Sequence, residues 1–234
     1  MRDSYRDELN ATTELIVTVA GLVRTAVQDA TTALVTADLT IAERVISGDA
    51  RIDELTKEIE QRSFQLLARQ APVAGELRTV VAVLRMSYSL DRMGDLAAHI
   101  AKIARLRYPE AAAPEPIADQ IKQMAETADS MIATAITTLE NRDAEAAAGL
   151  ATADSKMDEL RSDQFHLLLS DDWEYGVEKA VDTALLGRYY ERIADHAVAM
   201  GARTIYIVTG EAPEGENWPS SCLLYTSDAA DDSL

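Results

Sequence analysis

The stretch LDRMGDLAAHI at residues 90–100 decides how this chain folds, together with its echo YERIADHAVAM at residues 190–200. Each carries two carboxylates four residues apart: Asp91 and Asp95 in the first, Glu191 and Asp195 in the second. On an α-helix that spacing stacks both side chains on one face, about a turn apart. Like charges so placed repel by a few tenths of a kcal/mol unless a cation sits between them. An arginine follows the first acid both times (Arg92, Arg192), and a histidine lies close by both times (His99, His196). One acidic pair on a helix is ordinary. The same pair twice, one hundred residues apart, implies a repeated unit.

Working outward, apolar residues recur every three or four positions over most of the chain, as in Ile16, Val19, Val23, Val27, Ala30 and Leu34. That period predicts a first helix over residues 2–37. Asp38 is placed to cap a second helix from Leu39 to about Ala68, since a short acceptor there satisfies free backbone N–H groups. QAPVAG at residues 70–75 holds the Pro and Gly of a turn, and a third helix follows from Glu76 to about Leu106. YPEAAAPEP at residues 108–116 carries three of the six prolines and marks the clearest boundary. The second half repeats the first. A helix over residues 117–140 leads to Asp143, which stands where Asp38 stood. DARIDEL at residues 49–55 becomes DSKMDEL at 154–160, a constant offset of 105. SDDWEYG at residues 170–176 replaces the Pro/Gly turn, and a last helix continues to about Val208. The expected architecture is all-α, two tandem three-helix units (residues 1–108 and 117–210) joined by the link at 109–116. A polar end, residues 211–234, follows. Within it SCLLYTSDAADDSL (221–234) continues no helical pattern, has no counterpart in the first half, and reads as foreign to the biological fold.

Composition narrows the function. Of the 234 residues 47% are hydrophobic but only 5% aromatic, a balance that favours long helices. The net charge of −18 sets the chain against nucleic acid and against insertion into or binding to an anionic membrane. Three of its acids lie in 221–234, so the remainder still carries −15. The one cysteine, Cys222, excludes a disulfide framework and a cysteine metal site. With no signal-like leader and no apolar run of about 20 residues, the expected location is the cytoplasm.

Asp49 and Asp53 form a further pair four apart, as do Asp154 and Asp158. In an antiparallel hairpin, Asp49 opposite Asp95 and Asp53 opposite Asp91 both put the turn at Pro72, inside QAPVAG. Asp154 opposite Asp195 and Asp158 opposite Glu191 both put it between Glu174 and Tyr175, inside the other turn. Four carboxylates thus stand at one level of each helix pair. A lone pair would read as a solvated face with Arg92 or Arg192 as counter-ion. Two register-matched quartets point instead to a metal or a basic partner, and oxygen-only ligation suits Mg²⁺, Mn²⁺, Ca²⁺ or iron. His99 falls one turn beyond Asp95, while His196 sits about 100° round the wheel from Asp195. Both read as satisfied polar residues rather than ligands, and His166 as structural. A ferritin-like di-iron site is excluded because it needs Glu-x-x-His on two helices. No Gly-rich phosphate loop, nucleophile elbow or Ser/His/Asp set stands out. Nothing points to an enzyme.

These motifs resemble the PhoU family of phosphate-specific transport system accessory proteins. DRMGD at 91–95, ERIADH at 191–196 and the pairs Asp49/Asp53 and Asp154/Asp158 carry the resemblance, which covers roughly residues 1–219. TGEAPEGENWP at 209–219 resembles the end of actinobacterial members, and Asp91 stands where the family more often has Glu. The resemblance implies paired three-helix bundles, often homodimeric, with multinuclear metal sites at E/D-x-x-x-D motifs. It also implies a negative regulator of phosphate uptake and of the phosphate-starvation response, coupling the ATPase subunit of the phosphate ABC transporter to a sensor histidine kinase. Two other classes fit the residues alone: a metal-binding or metal-buffering helical protein, and a helical module docking a basic partner.

Overall fold

The computed structural model describes residues 2–69, 72–114 and 117–212, and the expectations for 213–234, including the foreign tail, fall outside them. Six helices follow in order: α1 Arg2–Thr36, α2 Leu39–Arg69, α3 Ala74–Arg107, α4 Ile117–Asn141, α5 Ala144–Leu168 and α6 Gly176–Thr209. The chain is all-α, as the periodicity predicts, with ends within two residues of those expected.

The α1–α2 and α4–α5 corners are built the same way. Ala37 and Arg142, again 105 apart, both take a positive φ (51° and 53°) and reverse the chain. The next residue then serves both helices. Its N–H closes back on the helix just ended (Asp38 to the Ala33 carbonyl, 3.1 Å; Asp143 to the Thr138 carbonyl, 2.9 Å). Its carboxylate accepts from the helix that begins (Ile41 N–H, 3.0 Å; Ala146 N–H, 2.9 Å).

Within each repeat the three helices pack on one another, but the seam between repeats is equally a packed surface. α1 meets α4, and α3 meets α6. The helices α1, α3, α6 and α4 therefore form a closed ring of four, with α2 and α5 laid chiefly on the outside of their own repeats. One hydrophobic core runs through all six, from Ile16 and Ile52 through Met93 and Met124 to Met157 and Ile193. Full burial of side chains of this size is worth about 1.5–3 kcal/mol each. Polar contacts cross the seam at its centre, where the Gln28 amide also donates to Asp129 at 2.7 Å. Arg24 forks onto Asp129 through Nε (2.7 Å) and Nη2 (2.8 Å), and the buried Tyr190 hydroxyl pairs with Thr31 at 2.8 Å. Arg24 and Asp129 are repeat counterparts, 105 apart. A residue that touches its own counterpart lies near a local two-fold axis.

Candidate functional site

Both quartets sit where an outer helix lies on the ring, α2 against α3 and α5 against α6. In the first, Gly94 lets the two helices close. A Cβ there would stand 3.1 Å from Asp49 Oδ1 and 3.1 Å from Ile52 Cγ2. Asp49 consequently projects into the joint, and its Oδ1 is buried with no hydrogen-bond partner. Burial first, then the like charges of Asp53, Asp95 and Asp91, push its carboxyl up to about 6, against the pull of Lys102. Asp91 is also raised, by burial, with Asp53 and Asp95 adding to it and the Thr56 hydroxyl opposing. Thr56 is buried, and its Oγ1 lies 3.1 Å from both Asp91 Oδ1 and the Asp53 carbonyl. Asp95 turns outward to Arg92 at 2.8 Å.

The second quartet has the same layout and a different balance. Asp154 is raised by burial and then by Asp195, Asp158 and Glu191. Asp195 is raised by burial and Glu191, and lowered in turn by Arg188 and Arg192. Glu191, however, is held by two guanidinium groups, Arg188 at 2.7 Å and Arg161 at 3.3 Å. Arg161 is itself half-buried, hydrogen-bonded to Gln164 at 2.9 Å and stacked over Phe165 at 4.2 Å. The counter-ion role expected of Arg192 thus belongs to Arg161 and Arg188. Carrying the offset of 105 one residue past DARIDEL sets Thr56 opposite Arg161, so the substitution was readable from the repeat itself.

Each quartet is therefore assembled as an electrostatic unit. Among the described residues, though, no three Asp, Glu or His side chains converge closely enough to make a ready metal-binding set. The residues still fit a hard cation at the first quartet, which presents oxygen donors only and one orphaned buried carboxylate oxygen. At the second, Arg161 and Arg188 already supply positive charge. His99 and His196 line a groove between α3 and α6 that Asp95 of the first quartet also borders. His99 tilts against the Tyr189 ring with centroids 5.5 Å apart. The half-buried His196 is lowered by burial and by Arg192 and Arg92. His166, expected to be structural, is exposed on α5.

A family model described as PhoU domain matches this chain twice, over residues 16–104 and 121–204. The chain belongs to the PhoU family. Among similar PhoU proteins, "Phosphate-specific transport system accessory protein PhoU homolog 1" of Mycobacterium leprae (strain TN) is 41% identical over 94% of this chain and 100% of its own length. "PhoU homolog 2" of Mycobacterium tuberculosis (strain ATCC 25618 / H37Rv) is 42% identical over 91% and 100%. The crystal structure of PhoU from Pseudomonas aeruginosa superposes with a TM-score of 0.84 at 25% identity, covering 88% of this chain and all of that one. That of "the phosphate transport system regulatory protein PhoU" from Streptococcus pneumoniae gives 0.81 at 26%, over 90% and 99%. Two matched PhoU stretches agree with the repeat read from the acid pairs.

Proposed function

We propose that this PhoU-family chain is a regulatory accessory protein of phosphate transport that restrains phosphate uptake and the phosphate-starvation response. The observation that carries this is similarity of about 40% over nine-tenths of the chain to proteins named as phosphate-specific transport system accessory proteins. In this reading the protein acts in the cytoplasm as a homodimer, and its partners are the ATPase subunit of the phosphate ABC transporter and a sensor histidine kinase. No described helix is long and apolar enough to cross a membrane, so contact with the transporter would be made through the helical surface. The protein works by binding rather than catalysis.

The carboxylate quartets belong to the same proposal as sites for a divalent or trivalent metal ion such as iron, Mn²⁺ or Mg²⁺. Asp49, Asp53, Asp91 and Asp95 would hold it in the first repeat, and Asp154, Asp158, Glu191 and Asp195 in the second. A bound cation would supply charge that at the first quartet comes only from Arg92 on Asp95 and from Lys102 near Asp49. What the chain's own residues do is hold the carboxylates level and, at Asp49, keep one free of any competing hydrogen bond.

Deleting the protein should raise a phosphate-starvation reporter in phosphate-rich medium, with the wild-type copy restoring repression. Unchanged reporter output on deletion would favour the second reading, a metal-buffering helical protein without a signalling role, which the orphaned Asp49 oxygen would serve equally.

A further inference from the structure

The seam between α3 and α6 holds a site of the opposite charge. A groove of about 180 Å³ opens there, lined by Arg92, Arg192, His99 and His196, with Tyr189 and the single carboxylate of Asp95 also on its wall. The two arginines are repeat counterparts, one hundred residues apart. The local two-fold that joins Arg24 to Asp129 also brings this pair to one place. Both guanidinium groups line the same groove, one from each helix.

Cations are scarce in this protein, 22 lysines and arginines against 40 acids, and most described arginines are in ion pairs. Arg192 makes no ion pair with a carboxylate among the described residues. Arg92 has Asp95 at 2.8 Å, but the two side chains are 45% and 40% exposed, and such a pair is worth little and exchanges readily. Two guanidinium groups held beside a groove with so little compensation form a preset anion receptor, since the planar fork matches oxyanion geometry. The volume is below the usual range for an organic ligand and suits a small ion.

We propose that the α3–α6 groove binds a free tetrahedral oxyanion of the inorganic phosphate class between the guanidinium groups of Arg92 and Arg192. The site is distinct from the carboxylate quartets and does not depend on their holding metal. Asp95 nevertheless touches both, because any cation that draws Asp95 toward the first quartet releases Arg92 to the groove. Anion and cation would then favour one another reciprocally.

Chelator-treated full-length protein titrated with inorganic phosphate in a calorimeter should show one saturable site. Arg192→Gln and Arg92→Gln should each weaken it by about tenfold or more, the usual loss for a charge-assisted hydrogen bond. Arg192→Lys should recover part of the affinity. Arg44→Gln, which makes the same change in net charge at the exposed Arg44–Asp29 pair, should leave it unchanged. Arg92 and Arg192 are exposed, so these variants should keep the wild-type melting temperature. The proposal is overturned if wild type shows no saturable phosphate binding, or if Arg192→Gln binds phosphate as wild type does. Phosphate binding that needs added Mn²⁺ and ignores Arg192→Gln would place the anion on the metal, ending this proposal while sparing the metal reading. Co-sedimentation with phosphatidate vesicles without binding of inorganic phosphate would make the ligand a headgroup and equally overturn it.

Discussion

Asp49 shows what one residue can report about this site. Its carboxyl, raised to about 6 by burial and by its neighbours, prefers to be neutral in the folded state. In the unfolded chain it would ionise near 3.8. The folded protein therefore holds a proton that the unfolded one gives up, and stability is lost as pH rises through that window. Below about 4 the penalty is absent, and above about 6 it is complete. Asp49→Asn should accordingly be more stable than metal-free wild type at pH 7.5, by on the order of 1 kcal/mol after solvent screening. At pH 4 the two should melt together, which thermal scans across the range would check. The quartets also differ in how much cation they call for. Thr56 gives the first a neutral hydroxyl, whereas Arg161 and Arg188 give the second two charges. Metal analysis at sub-saturating Mn²⁺ should find more metal lost from Asp91→Asn/Asp95→Asn than from Glu191→Gln/Asp195→Asn, because Arg161 and Arg188 weaken the second site for a cation. Equal losses would show that the guanidinium groups do not substitute for a bound ion.

At the scale of the element, the two matched corners carry a cost. Ala37 and Arg142 have Cβ atoms yet occupy the left-handed region, which disfavours L-residues by roughly 1–2 kcal/mol. Arg142→Gly relieves that strain but gives back chain entropy in the unfolded state, so the gain should be about 0.5–1 kcal/mol. Chemical denaturation would show it as a higher midpoint with an unchanged slope. Asp143→Ala should do the reverse, losing about 1 kcal/mol with the cap to Ala146. The corners were legible because a short acceptor before a run of period 3.6 has one local explanation. The levels of the acids were legible too, since an antiparallel hairpin with a placed turn leaves a single register. Side-chain partners followed less well. Nothing in the spacing of residues 188 and 191 says that α5 will lend Arg161 to the same acid. Only comparison of Thr56 with its counterpart does.

For the molecule as a whole, the sequence shows two units but not how they join. Each stripe says that a helix face is buried, and none says against which of five neighbours. The ring of α1, α3, α6 and α4 is set by helix rotation across the seam, which no local pattern records. Its consequence is cooperativity, because the core is continuous through both repeats. Calorimetry should give one transition for the chain, not one per repeat. The seam is also pinned at its rim, where Arg107 reaches Asp182 at 2.5 Å as well as Glu178, with Asp182 only 5% exposed. Asp182→Ala should lower the midpoint of that single transition, because Arg107 is left with only its exposed partner Glu178 to hold the seam. Two separated transitions in the mutant would mean that the repeats are independent after all.

The contact of Arg24 with Asp129 also bears on how such a chain can have arisen. If one repeat were a free peptide and paired with an identical copy in this arrangement, the axis would oppose arginine to arginine or aspartate to aspartate. Either encounter is repulsive, and only two halves free to mutate separately can put one of each there. Duplication into two separately mutating copies, fused or not, must therefore have come before this pair. A gene cut at the prolines of residues 109–116 would yield two peptides that need each other and that neither could replace by doubling itself.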